Sequence, residues 1–340
     1  MGTEKTIAQL LASRVKRYGS RMAFQVKDGW SWKQLTWLDL DHDVKSTAAF
    51  LMSMGFERGD RVLVLYPNRK EVLWTEFAVS LLGGVSISLS EEDLPEYIEE
   101  VARRWGVKLI FSGDGEHLEK IKEVSSRLPE LKKIVVYTAE PIRADGGVVA
   151  FSTLMKLGSV KRRSLGDELN LFAQGIEPGF EASIFIHPNG NGGVSATRLT
   201  HGDLLAAIEE ASEKLSFLGE EGQAFSHLPS ACPFSRFVNY IVIYMGLRVS
   251  VAETREDFYE DVLELKPTVI FKTKRGLKDV VSTILLNGHA EPSGAELKRA
   301  LGGRVAHIVT DFEPGEDLLA LFTKAGITIT VLGEFAALLD

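Results

Sequence analysis

Two stretches of this 340-residue chain pass through the same succession of elements, and that duplication limits the possible folds more than any other feature. In the first, Arg61-Val-Leu-Val-Leu-Tyr-Pro67 reads as a buried strand ended by proline. Glu71 to Leu82 then has helical spacing, with Val72, Phe77 and Leu81 near one face, until Gly83-Gly84 stops it. Val85 to Leu89 is a second strand, Glu91 to Trp105 an amphipathic helix, and Val107 to Phe111 a third strand. The second stretch repeats the order: Ala224 to Pro229, an apolar helix to Met245, Gly246, then Arg248 to Ala252. A helix from Glu256 to Leu265 and a strand from Thr268 to Phe271 close it. Any two α/β segments share this outline, but here Pro67 corresponds to Pro229 and Gly84 to Gly246, a period of about 160 residues.

Strands that alternate with helices and lack hairpin turns imply parallel sheets joined by right-handed crossovers. The expected fold class is therefore α/β, with two similar, doubly wound subdomains built on mostly parallel sheets. The first is expected over residues 1–170 and the second over 171–340, with a polar connector at 140–180.

The segment from Ser183 to Gly202 adds a candidate site. It reads as an apolar strand, a glycine-rich turn (Asn189-Gly-Asn-Gly-Gly193) and a helix start, which is the outline of a phosphate-cradling loop. Gly190 and Gly192 let backbone N–H groups face an anion, whereas Pro188 removes one donor. The turn holds no lysine, and no Gly-Lys-Ser/Thr follows any glycine run, which excludes a Walker-type loop.

Composition excludes several functions. A net charge of −8 leaves nothing to neutralise a run of phosphates, so nucleic acid is not an expected partner. The short basic clusters at 103–104, 161–163 and 272–275 read as solvated edges. The single cysteine, Cys232, excludes an internal disulfide and multi-cysteine zinc sites, and the seven histidines lack metal-ligand spacing, so no metal ligand is assigned. The longest apolar run, from Phe237 to Met245, is too short for a transmembrane segment, and the N-terminus has no signal core. A cytoplasmic protein is expected.

These segments, in this order, resemble the AMP-forming acyl-CoA synthetase superfamily, and within it the long-chain fatty-acid CoA ligases. The resemblance rests on Gly59-Asp-Arg-Val-Leu-Val64, Pro67-Asn68 with Glu71 and Trp74, Gly83-Gly84 and Ser88-Leu89. Further along it rests on Leu228-Pro229 with Ala231, Arg236 and Gly246, and on Lys266-Pro-Thr-Val-Ile270 with Arg275. It implies an enzyme that joins a carboxylate to AMP using ATP and magnesium and then passes the acyl group to coenzyme A.

The resemblance also implies that the chemistry is degraded. Counting back from Leu199-Thr200-His201, the family's loop lysine falls on Ser195, and its hydroxyl-rich part on residues 187–192. Asn189, Gly190, Asn191, Gly192, Ser195, Thr200 and His201 would line a vestigial nucleotide site. Asp311 and Phe312 would join them, adding bulk where relatives bring a Gly-Gly-Ala-Pro turn against the adenine. The family's phosphate-binding threonine and magnesium-binding glutamate fall on Leu338 and Leu339, with Asp340 reaching the glutamate position only if the register slips by one. His227, Cys232 and Arg236 fall at the entrance to the acyl pocket. The family's C-terminal lid domain is expected to be absent beyond Asp340.

A catalytically degenerate homologue is therefore expected, one that keeps a fatty-acid, acyl-adenylate or nucleotide ligand or serves a partner. The alternatives are the N-terminal subunit of a split ligase completed by a separate C-terminal subunit, and a homodimer-forming scaffold module.

Overall fold

The computed structural model of the chain describes residues 4–28, 31–65, 69–90, 92–113, 115–140, 142, 147–165, 167–188, 194–219, 222–226, 228, 233–251, 258–286 and 293–333. The strands are β1 (Met22–Asp28), β2 (Ser31–Thr36), β3 (Arg61–Leu65), β4 (Val85–Leu89), β5 (Val107–Ser112), β6 (Lys133–Val136) and β7 (Val148–Ala150). They continue with β8 (Glu181–Pro188), β9 (Val194–Thr200), β10 (Gln223–Ser226), β11 (Arg248–Val251), β12 (Val269–Phe271), β13 (His307–Thr310) and β14 (Thr328–Val331). Two compact units share them: Met1–Gly19 with Trp37–Ala206, and Ser20–Thr36 with Ala207–Asp340.

The first unit holds a seven-stranded sheet in the order β7-β6-β5-β3-β4-β8-β9. Every neighbouring pair is parallel except β8 and β9, which form an antiparallel hairpin at the edge. Helices cover the sheet, so its central strands are buried on both faces: β3 is an apolar run from Val62 to Leu65, and β4 alternates apolar residues with small serines, of which Ser86 is fully buried. Leu63, Ile87, Ile110 and Ile184 lie at full burial in one cluster, each contributing roughly 1.5–3 kcal/mol by leaving water. The helix Lys70–Leu81 is buried all round from Glu71 to Leu81, not on the single face that its spacing suggested.

The expected polar connector is mostly helical. Phe151–Leu165 and Glu168–Gln174 are helices, and the first packs along Trp37–Ser53. Gly158 makes that approach possible, because a Cβ there would overlap the Ser46 carbonyl. The many polar residues of 156–165 occupy the outer face of an amphipathic helix, which is why this stretch read as a loop.

The second unit repeats the topology. Its sheet runs β14-β13-β12-β10-β11-β1-β2, so β10, β11 and β12 take the places of β3, β4 and β5. The duplicated segments of the sequence are these strands and the helices between them. Here the antiparallel pair beside the second repeat strand is β1–β2, from the N-terminal end of the chain. Gln25 Nε2 donates to Ser250 Oγ at 2.9 Å, and Lys27 Nζ lies 2.6 Å from the buried Asp261 carboxylate, fixing β1 to this unit. Phe225, Ile270, Ile308 and Phe322 centre its core.

The boundary between the units falls at residue 206 and the second unit recruits residues 20–36, in contrast to the division expected at 170. The reason is that the β8–β9 hairpin completes the first sheet, so the chain cannot leave that unit before β9 ends.

Candidate functional site

In an open parallel sheet, ligands gather beyond the carboxyl ends of the strands. In the first unit that edge is formed by the ends of β3, β5, β6 and β8. β8 pairs with β4 through Ser86–Ser183 and Ile87–Ile184 and reaches the edge at Pro188. Asn189, Gly190, Asn191 and Gly192 follow and lie outside the described residues. The chain then returns as β9, where the sequence had suggested a helix start. Val194, Thr197 and Thr200 are β-branched, and residues of that shape suit an edge strand.

This strand changes the setting of Ser195. It is exposed and lies in ladder register opposite His187. Its hydroxyl offers a neutral donor where the resemblance places a lysine. Arg198, the cation of β9, lies opposite Ile184 and is engaged by the Glu181 carboxylate at the other end of the hairpin.

Thr200 and His201 both perform local structural work. Thr200 Oγ1 donates to Asp203 Oδ2 at 2.7 Å, and the Thr200 N–H reaches the same oxygen at 2.9 Å. Asp203 N–H returns a bond to Thr200 Oγ1 at 3.1 Å, so the pair closes the start of the helix His201–Lys214. The His201 ring is fully buried, and its Nδ1 accepts the Ile7 N–H at 3.4 Å at the start of the helix Ile7–Tyr18. Burial drives its pKa down to about 4, so the ring is neutral at physiological pH. Its Nε2 has no partner among the described residues.

Glu71 and Trp74, which carry part of the family signature, also belong to the scaffold. Burial raises the Glu71 pKa, but Lys70 at 2.9 Å and Arg69 at 3.3 Å outweigh it and hold the carboxyl below its usual range. Arg69 also donates to the Tyr137 carbonyl at 2.8 Å, and the Trp74 ring lies near Phe151. These contacts tie the helix Lys70–Leu81 to the end of β6.

In the second unit, Asp311 and Phe312 follow β13 at the carboxyl edge of the sheet. Thr310 Oγ1 donates to the Phe312 carbonyl at 2.9 Å, and Leu332 N–H donates to the Thr310 carbonyl at 2.8 Å, holding this turn against β14. Phe312 packs against the core of the unit, and burial raises the Asp311 pKa. Arg236 is likewise buried, on the helix Pro233–Met245. His227, Cys232, Leu338 and Leu339 lie outside the described residues. No group of His, Cys, Asp and Glu suited to a metal ion occurs among the described residues.

One residue at this edge escaped the sequence argument. Lys272, counted among solvated basic clusters, follows β12 and is 4% exposed, with Nζ 3.4 Å from the centre of the Phe258 ring. A lysine directly after the apolar run Val269-Ile-Phe271 was the available signal.

Two α/β units that repeat one strand order, each edged by an antiparallel hairpin, define the architecture of acyl-CoA synthetase N-terminal domains. Residues 11–154 match the model of the AMP-binding enzyme family. A long-chain-fatty-acid–CoA ligase of Mycobacterium bovis, FadD15, is 21% identical over 253 residues, covering 74% of this chain and 41% of that protein. The ligase ACSBG1 of Bos taurus is 24% identical over 157 residues, 46% of this chain and 22% of its own length. The chain thus spans less than half the length of these relatives. The crystal structure of a long-chain-fatty-acid–CoA ligase, FadD1, from Archaeoglobus fulgidus shares the fold, with a TM-score of 0.76 at 14% identity, covering 97% of this chain and 64% of that one. No helix among the described residues is long and apolar enough to cross a membrane.

Proposed function

We propose that this chain is an acyl-CoA synthetase-like protein that keeps the scaffold of a fatty-acid CoA ligase and does not itself form adenylates, serving as a ligand-binding or partner subunit. The position of Ser195 carries this proposal. Negative charge gathers on the transferring phosphorus in the transition state, and a site for that reaction needs cations and fixed donors facing it. Ser195 supplies neither a cation nor a lysine's reach, while Thr200 and His201 are engaged in capping and packing. Asp311 and Phe312 would further crowd an adenine.

Measuring ATP–pyrophosphate exchange with medium- and long-chain fatty acids tests this directly. The isolated chain is expected to give no exchange above the blank, and robust turnover would overturn the proposal. Calorimetric titration with AMP and with a fatty acid then divides a ligand-binding subunit, which binds at least one of them, from a scaffold module, which binds neither.

A split ligase is the second reading. It predicts exchange only after mixing with a separate chain that carries the C-terminal portion of such a ligase.

A further inference from the structure

The amino-terminal edge of the first sheet, opposite the edge where relatives work, carries an open cavity of about 510 Å³. Gly59 to Arg61 at the start of β3, Trp105 to Lys108 at the start of β5 and the end of the helix Pro95–Arg104 form it, with Arg198 of β9 at its side. Five of its lining residues are basic (Arg61, Arg103, Arg104, Lys108 and Arg198), and two are acidic, Asp60 and Glu130. In a chain of net charge −8, this is a local reversal of sign.

The carboxylates nearby are shared rather than matched one to one. Glu181 serves both Arg61, at 3.5 Å, and Arg198. Glu99 serves both Arg103, at 2.5 Å, and Arg127, at 2.6 Å. Lys108 is paired with Asp60 at 2.8 Å. Arg104 has no carboxylate partner among the described residues. Its Nη1 donates to the Val194 carbonyl at 2.7 Å, and its guanidinium lies 5.8 Å from the centre of the Trp105 ring. Guanidinium groups with donors to spare match phosphate oxygens in geometry and charge, and the cavity falls within the usual range for small-molecule sites.

We propose that this cavity binds a soluble anion carrying two or more linked phosphate groups, with Arg104 and Arg198 as its principal ligands. Two features favour linked phosphates over a single phosphate. Arg104 is anchored at Val194 and Arg198 stands four residues further along β9, roughly 13 Å at about 3.3 Å per residue, a separation better suited to linked phosphates than to one tetrahedral anion. The half-buried Trp105 beside Arg104 also offers an aromatic edge for a base or similar flat group. The site is independent of the carboxyl edge and of whether the chain adenylates anything.

The test is calorimetric titration of the full chain with inorganic pyrophosphate and tripolyphosphate at low salt. Binding is expected to weaken severalfold when salt rises from about 50 to about 200 mM, because the site is open to water. Arg104→Ala and Arg198→Ala should each weaken pyrophosphate binding by roughly three- to tenfold. Arg299→Ala removes the same charge from an exposed position on the helix Gly294–Ala300 of the second unit and should leave binding unchanged. Circular dichroism and the unfolding midpoint check that each variant folds, and Arg104→Gln is the fallback if Arg104→Ala does not. No binding at about 1 mM pyrophosphate overturns the proposal. So does binding that Arg104→Ala and Arg198→Ala leave intact, since the anion then sits elsewhere, or sulfate binding as tightly as pyrophosphate. Binding to vesicles that carry phosphoinositide headgroups, with none to the soluble anions, overturns it in favour of a membrane surface.

Discussion

The two sheets share a strand order but are completed from different parts of the chain. In the first, the edge hairpin β8–β9 comes from the same continuous stretch as the sheet that it joins. In the second, the equivalent place is taken by β1–β2, and Gln25 bonds to Ser250 across 225 residues of sequence. One topology has been closed once locally and once over a long loop. The entropy of loop closure grows only slowly with length, so the distant hairpin is thermodynamically affordable. Its cost lies in kinetics, because non-local strand pairing slows folding. The second unit should therefore gain its last two strands late, after most of the chain has folded.

The largest expected effects come from glycines where backbone meets backbone. Gly158 in the first unit and Gly294 in the second each lie where a Cβ would overlap a carbonyl oxygen, of Ser46 and Lys324 respectively. Neither carbonyl can rotate away as a flexible side chain could. Gly158→Ala and Gly294→Ala should each cost about 3 kcal/mol, near the upper end for overpacking. Hydrogen exchange read segment by segment should show the loss confined mainly to the unit that carries the substitution. Equal loss in both units from either variant would mean that they unfold as one, and the comparison would break.

The repeat was legible because buried parallel strands appear as apolar runs, and the turns between them need proline or glycine. β3 with β10 and β4 with β11 are found from sequence for that reason. The hairpin β1–β2 was not visible. β2 is largely exposed, its residues do not alternate cleanly, and its sheet partner is specified only by the fold. β9 was missed for a related reason: a glycine-rich turn followed by Leu-Thr-His looks like a loop leading to a helix, and the seven-residue strand, which itself contains Leu199 and Thr200, carries only a weak alternation. At the candidate site, sequence located Ser195, Thr200 and His201 but could not show how they are used. That Thr200 bonds Asp203 is a local pattern open to inspection, Thr-x-x-Asp. That His201 receives the Ile7 N–H is a contact across 194 residues, which no spacing reveals.

His201 gives the next prediction. Its folded pKa of about 4 lies below the ordinary value of 6.5, so the unfolded chain takes up a proton first as the pH falls. The stability conferred by the neutral ring is complete above pH 6.5 and is lost as the pH falls from there towards 4. Between pH 7 and pH 5 this should cost roughly 2 kcal/mol, at about 1.4 kcal/mol per pH unit of difference. His201→Asn keeps an acceptor near Nδ1 and removes the titration, so its urea midpoint should be lower at pH 7 but should fall much less towards pH 5. In the second unit His307 is also shifted down by burial, but it is only partly buried and should yield a gentler acid limb. A His201→Asn variant with the same pH dependence as the parent would show that another group governs acid unfolding.

The smallest effects test whether matching helix starts in the two units are equivalent. Thr200 with Asp203 caps His201–Lys214 in the first unit, and Ser293 with Glu296 forms the capping box of Gly294–Ala300 in the second. Thr200→Ala and Ser293→Ala should each cost about 1 kcal/mol, the usual loss for a capping hydroxyl. If Thr200 acts only as a cap, Asp203→Ala should cost a similar amount, and the double variant should cost clearly less than the sum, because both singles break the same reciprocal pair. A Thr200 that instead serves a ligand would show additive stability losses with Asp203, together with a weaker response to AMP in calorimetry. The double-mutant cycle thus separates scaffold from site at the residue where the family signature makes them hardest to tell apart.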